Sequence, residues 1–381
     1  MNTSTTTRRR FLSTAAMSAA AAAAAPLLSQ AAAAGGLSAA APSDQGLPTN
    51  PPSPTGHYRP PYRFGLGGVA IGNGFRPATD AEAGETLAAA WAGGVRYYDT
   101  SPWYGLGLSE RRFGHFLHNQ NRGDYVLSTK VGRVLSPSQP LGNLLWKNPA
   151  PFKHTYDYTA AGARRSIEDS LQRLGVERID IVFIHDLSPD NPDLGERWPE
   201  YFDIAAKGAM PELTKMREEG LIKAWGFGVN TIEPILRALN EGDPDIFLSA
   251  TQYSLMHHEE EIARVFPACE KRGVSLVVGA PLNAGFLAGA DRYDYRGKMP
   301  EGFLAKRDRL SALAKEYGTD LRTAALQFCA APAVVSSVIP GARSARQVTE
   351  NIASMKVKIP AAFWAELKRE KLIAENAPTP A

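Results

Sequence analysis

Three features predict an α/β protein built as a single-domain, eight-stranded parallel β/α (TIM) barrel. Short β-branched and aromatic runs alternate with helix-like stretches, eight such runs can be placed in order, and several end in a polar side chain followed by loop composition. Arg63 to Ile71 supplies the first strand, Val95 to Tyr98 the second, Tyr125 to Thr129 the third and Ile179 to Ile184 the fourth. Ile222 to Val229, Ile246 to Ala250, Ser275 to Val278 and Val334 to Ile339 complete the set. Between strands one and two, Thr79 to Ala92 reads as a helix: Thr79-x-x-Glu82 is a capping box, Leu87 and Trp91 stand four apart, and Gly93-Gly94 is a stop. Between strands three and four, Thr159 to Leu174 places Ile167, Leu171 and Leu174 on one helical face.

In such a barrel the chemistry gathers at the C-terminal ends of the strands. Asp99, Lys130 and His185 fall at the exits of strands two, three and four, and Tyr104 follows Asp99 by five residues. An acid, an ammonium, an imidazole and a phenol are the parts needed to move a proton and a hydride onto a carbonyl. Taken singly, each has an ordinary structural reading: a packed polar histidine, or an Asp-Lys ion pair. Four roles filled in order favour a reductase or dehydrogenase. A barrel glycosidase would need paired carboxylates at strand ends, where only Asp99 and Asp186 offer themselves and Asp99 has Lys130 to pair with.

From about Arg63 to Leu372 the chain resembles the aldo-keto reductase family, and within it the D-threo-aldose (L-fucose type) dehydrogenase branch. The resemblance is carried by Phe64-Gly65-Leu66-Gly67-Gly68, Asp99 to Gly105, Ser128 to Gly132, Ser170 to Gly175, Ile179 to His185, Gly228-Val229-Asn230 and Ile339-Pro340-Gly341, in that order. It implies a hydride transfer between nicotinamide and a carbonyl or hydroxyl of a small polar substrate such as an aldose. Tyr104 would be the general acid/base, Lys130 would favour its phenolate, Asp99 would hold Lys130, and His185 would orient the substrate oxygen. A catalytically idle nicotinamide-binding regulatory module is the alternative.

The same resemblance assigns the cofactor contacts. Asn230 and Gln252 would hold the nicotinamide carboxamide, and Pro281, Leu282, Asn283 and Gly285 would run along the diphosphate beside Gly67 and Gly68. Gly341, Arg343, Gln347, Glu350 and Asn351 would take the adenosine end. Gly279 stands where related chains stack an aromatic ring on the nicotinamide. Gly341 and Gln347 replace a Lys and an Arg that reach the phosphate of NADP, a loss that Arg343 and Arg346 would offset. The cofactor is therefore NADP or NAD, with a lean to NADP.

Other signals are incidental. Gly65-Leu66-Gly67-Gly68-Val69-Ala70 matches a dinucleotide fingerprint, but Gly72, Gly74 and Pro77 follow where a helix should open. Cys269 and Cys329 read as buried free thiols without metal-ligand company, and His257-His258 as a solvated helix start. The net charge of +3 falls to zero without the three arginines of the first 34 residues, and no basic stripe with interleaved aromatics suggests nucleic acid.

The N-terminal segment has its own logic. Thr7-Arg8-Arg9-Arg10-Phe11-Leu12, an Ala-rich stretch and small residues at Ala31 to Ala34 resemble a twin-arginine signal peptide over residues 1–34. It implies the twin-arginine export machinery as a partner, a periplasmic or secreted mature protein, and no stable membrane anchor. Residues 35–61, rich in Pro and Ala, read as a flexible linker, and residues 62–381 as the barrel domain. Gly132 to Tyr158 reads as a long loop over the active-site mouth. There Leu144, Leu145, Trp146 and Phe152 would form an apolar wall, and Trp103 and Trp146 would contact substrate.

Overall fold

The computed structural model describes residues 46–139, 145–295 and 299–380. The signal-peptide reading and Leu144 lie outside them. The strands are β1 (Leu66–Gly67), β2 (Tyr97–Asp99), β3 (Val126–Val131), β4 (Arg133–Pro137), β5 (Phe152–Tyr156), β6 (Ile181–His185), β7 (Ala224–Val229), β8 (Ile246–Ala250), β9 (Ser275–Gly279) and β10 (Val335–Ile339). Eight of them pair in parallel in the order β1-β2-β3-β6-β7-β8-β9-β10. Parallel bridges Phe64 to Val338 and Gly67 to Gly341 join the last strand to the first, giving the predicted barrel.

The helices are α1 (Asp80–Ala92), α2 (Leu108–Leu117), α3 (Ala160–Leu174), α4 (Trp198–Lys207), α5 (Ala209–Glu218), α6 (Glu233–Glu241), α7 (Phe266–Arg272), α8 (Phe303–Glu316), α9 (Leu321–Ala330), α10 (Ala345–Ser354) and α11 (Ala361–Arg369). The Thr79–Glu82 capping box forms as read: Thr79 Oγ1 accepts the Glu82 N–H at 3.2 Å and Glu82 Oε2 accepts the Thr79 N–H at 2.7 Å. Thr159 caps α3, and Gly175 ends it in the left-handed region at φ 63°.

Strand periodicity divides the core in two. Tyr97, Val126, Ile181, Phe183, Ala224, Ile246, Leu248, Val277 and Ile339 form a cluster inside the barrel. Their strand neighbours Tyr98, Leu127, Val182, Trp225, Phe247 and Val278 belong to the larger cluster with the helices. The period of two therefore sends Asp99, Lys130 and His185, each two or four residues past an inner apolar side chain, to the upper end of the barrel interior.

Four expectations are corrected. The first strand is two residues, not Arg63 to Ile71, because the glycines after it form successive turns, with Gly72 N–H donating to Gly68 O at 3.0 Å. The segment from Gly132 to Tyr158 is no plain loop: β4 and β5 pair antiparallel, Arg133 opposite Tyr156, giving the long excursion a hydrogen-bonded frame. The part of the expected linker from residue 46 onward is docked. Asn50 Nδ2 donates to Pro60 O and Ser336 O, both at 2.7 Å, while Tyr58 and Tyr62 pack on the inner cluster from the strands' N-terminal side. Its tyrosines cover apolar surface that would otherwise meet water at the barrel floor. Finally, His258 is buried rather than solvated, with Nδ1 bonded to Ser254 O and Nε2 accepting the Ala374 N–H. Cys269 and Cys329 are buried and free.

Candidate active site

The register of β2 and β3 builds the centre of the site. Asp99 pairs with Ser128, so Lys130 lies two residues further along the same face. Lys130 Nζ donates to Asp99 Oδ1 at 2.9 Å and Oδ2 at 2.8 Å, and to Thr100 O at 2.9 Å. Ser128 Oγ adds a donor to Asp99 at 2.7 Å. Burial pushes the Asp99 carboxyl above its ordinary range and the Lys130 ammonium below its own, each opposed by the partner's charge. All three ammonium protons are thus engaged.

Tyr104 sits in the turn after β2. Its N–H donates to Ser101 O at 3.1 Å and its carbonyl accepts the Ser109 N–H of α2 at 3.1 Å. The glycine-rich segment after β1 presses against this turn. A Cβ at Gly72 would lie 2.7 Å from the Tyr104 carbonyl carbon, and Gly105 holds φ 67°. The Lys130 ammonium lies 4.6 Å from the Tyr104 ring centroid. Burial first, then Asp99, Tyr295 and Asp186, push the phenol well above its usual range, and Arg133 is the cation that opposes them. Lys130, expected to favour the phenolate, pairs its charge with Asp99 at 2.8 Å and lies against the Tyr104 ring.

His185, at the end of β6, has its ring 5.7 Å from that of Tyr104. Ser101 Oγ accepts the Trp103 N–H at 3.1 Å and lies 3.0 Å from His185 Nδ1. His185 Nε2 lies 3.5 Å from Asp186 Oδ1. Burial, together with Arg133, Lys130 and His154, holds His185 well below the usual imidazole range, so it is neutral at physiological pH.

These four residues line one cavity of about 590 Å³, within the range of ligand sites. Gly228, Ala250 and Gly279 keep its floor open. Of the residues assigned to cofactor or substrate, Trp103, Trp146, Gly67, Gly68, Asn230, Pro281, Leu282, Gly285, Gly341, Arg343, Gln347, Glu350 and Asn351 line it too. Gln252 and Asn283 do not. Gln252 Nε2 donates to Asn230 O at 2.5 Å, and Asn283 Nδ2 donates to Asp294 at 2.9 Å.

Sequence reasoning missed several lining residues. Arg133, Asp190, Asn191 and Arg292 all face the cavity. For Arg133 the signal was available, a lone cation three residues beyond Lys130 in an otherwise apolar run. Arg292 had none, because it reaches the cavity only through the long excursion after β9.

Residues 63–370 match the Aldo/keto reductase family. The chain belongs to this family. It is 38% identical over 328 residues to the D-threo-aldose 1-dehydrogenase of a Pseudomonas species, covering 83% of this chain and 95% of the relative. It is 35% identical over 327 residues to the pyridoxal 4-dehydrogenase of Microbacterium luteolum, covering 82% and 94%. Among solved structures, the holo form of an aldo-keto reductase from Bacillus halodurans superposes with a TM-score of 0.63 at 24% identity, covering 87% of this chain and 99% of that one. As an aldo-keto reductase, the protein is an oxidoreductase of small polar substrates that uses NADP or NAD.

The cavity fits such a cofactor. Nε of Arg292 and Nε of Arg343 are buried without an acceptor among the described residues. Burial holds both guanidiniums below their usual range; Arg343 and Arg76 add to the effect at Arg292, and Arg76 adds to it at Arg343. A cluster of cations that only repel one another, with unfilled donors, is suited to a diphosphate. Gly285 at φ 103° brings backbone close to the same place.

Proposed function

We propose that the protein oxidises an aldose, or reduces the corresponding carbonyl, with Tyr104, Lys130, Asp99 and His185 as its catalytic set. The observation that carries this reading is the convergence of the four side chains on one cavity, with a neutral phenol and a neutral imidazole side by side. A bound nicotinamide supplies or accepts the hydride. Tyr104 gives its proton to the carbonyl oxygen in the reducing direction and takes it back in the oxidising one. His185 Nε2–H donates to the same oxygen and holds it towards Tyr104. The Asp99–Lys130 pair fixes the ammonium against the Tyr104 ring and braces it from below. Trp103 and Trp146, 5.6 Å apart edge to face, wall the substrate end. Relatives that act on D-threo-aldoses and on pyridoxal support a polar, hydroxylated substrate. The test is a screen of aldoses and small aldehydes followed by nicotinamide absorbance. Turnover of at least one aldose is expected, and turnover of none, with NADP or with NAD, refutes the reading.

We further propose that residues 1–34 direct twin-arginine export and that the mature enzyme works outside the cytoplasm. The Arg-rich motif and small-residue end support this. No helix among the described residues is long and apolar enough to cross a membrane. Free dinucleotide is scarce in such a compartment, so the protein should leave the cell with its cofactor bound and recycle it. Purification from the cell envelope should yield close to one nicotinamide per chain, and a preparation lacking it contradicts the proposal.

A further inference from the structure

Arg133 is the most conspicuous unspent group in the cavity. It is 5% exposed. Its guanidinium lies 5.0 Å from the ring centroids of both Trp103 and Tyr156, which fix its position. Nη2 is engaged, 3.0 Å from Asp186 Oδ2 and donating to the Tyr156 hydroxyl at 3.2 Å. Nε and Nη1 are buried and have no acceptor among the described residues. A guanidinium carries five N–H donors, so three remain unfilled. Leaving buried donors unpaired is costly, and a site that does so is matched to a ligand that brings acceptors.

The neighbours define what kind of ligand. Asp186 balances the charge of Arg133, so an anion gains no net attraction there. Asp186 Oδ1 also faces His185 Nε2 at 3.5 Å, so one carboxylate spans the distance between the imidazole that holds the reacting oxygen and the guanidinium. An acceptor reaching Arg133 therefore belongs to a carbon close to the reacting one.

We infer that Arg133 is a specificity-determining residue that binds a neutral hydroxyl one or two carbons from the reacting carbon of a polyhydroxylated substrate. This rests on the aldose reading above and sharpens it: the enzyme selects for oxygen at that position, and a deoxy substrate leaves the donors unmatched.

The experiment compares kcat/KM for an aldose that the wild type turns over with its 2-deoxy and 3-deoxy analogues and its uronic acid. A hydrogen bond to a charged donor corresponds to a preference of roughly 10- to 100-fold, so the wild type should favour the parent over at least one deoxy analogue by about that factor. In Arg133→Met the ratio should collapse towards one, with most of the loss in KM. Arg133→Lys, which keeps the charge beside Asp186, should retain an intermediate ratio and serves if the Met variant folds poorly. Binding of NADPH, read by fluorescence, reports whether either variant keeps an intact barrel. An undiminished deoxy discrimination in Arg133→Met overturns the assignment while leaving the aldose reading intact. A wild-type preference for the uronic acid that vanishes in Arg133→Met would show that charge is recognised and overturn the neutral-hydroxyl class. Failure of the wild type on every aldose overturns the aldose reading and this inference with it.

Discussion

Lys130 Nζ lies 2.9 and 2.8 Å from the two oxygens of Asp99, and the side chains are 1% and 2% exposed. The pair is sealed inside the barrel mouth because parallel neighbours β2 and β3 place the two residues on one inner face, two positions apart in register. An ion pair in this setting is weak evidence for stability but is severe to break, since one partner alone is an uncompensated buried charge.

Lys130→Met should therefore cost about 3–5 kcal/mol of folding free energy as well as activity. Adding Asp99→Leu to Lys130→Met should recover much of the stability without recovering turnover. Chemical denaturation with parallel assays separates the two effects. A single Lys130→Met variant as stable as wild type would contradict the buried-charge argument.

Tyr104→Phe removes only the hydroxyl and should leave the fold and dinucleotide affinity nearly intact while cutting turnover at least ~10²-fold. Because the wild-type phenol is held well above its usual range by burial, it is a ready acid and a scarce base near neutrality. The oxidation rate should rise with pH from neutral into the alkaline range as the phenolate fraction grows. A flat oxidation profile would point to another proton acceptor.

Arg343→Ala and Arg292→Ala should each weaken dinucleotide binding by roughly tenfold or more, the worth of a charge-assisted hydrogen bond. The loss should shrink at high salt. Fluorescence titration reads it directly, and unchanged affinity in both variants would place the diphosphate elsewhere in the cavity.

Glu261, 0% exposed, is a buried acid remote from the chemistry. Burial pushes it up to about 7, opposed only by its hydrogen bond from Ser249, and Oε2 has no partner among the described residues. Below its unfolded value both states bind the proton, and the group is neutral to stability. Between about 4.5 and about 7 only the unfolded state releases it, so this group erodes stability as pH rises through that window, by on the order of 3 kcal/mol once above it. Glu261→Gln should stabilise the protein by a comparable amount at pH ~8 and by little at pH ~4. Denaturant midpoints across that range provide the check, and equal effects at both ends would refute it.

Much of the candidate site was legible because strand periodicity and parallel register are local rules. Once the runs ending at Asp99, Lys130 and His185 are neighbouring parallel strands, a period of two carries all three to the same rim, and the Thr79–Glu82 capping box marks a helix start without reference to the rest of the chain. The Tyr104 turn was readable for the same reason, being five residues from a strand end. The partners that hold Gln252 and Asn283, Asn230 O and Asp294, were not legible, because they depend on how distant segments meet at the strand exits.

What the amino-acid order determined by itself was the barrel and its strand sequence, since these follow from patterning over a few residues; the roles expected of Tyr104, Lys130, Asp99 and His185 came from the family resemblance. Only the tertiary structure decided that β4 and β5 pair into a hairpin and that residues from 46 onward close the barrel floor. It also decided that Arg133 and Asp186 meet beside His185 with guanidinium donors left over. Each of these joins segments of weak local pattern, whose conformation is selected by the surface they bury and the hydrogen bonds they complete at a distance.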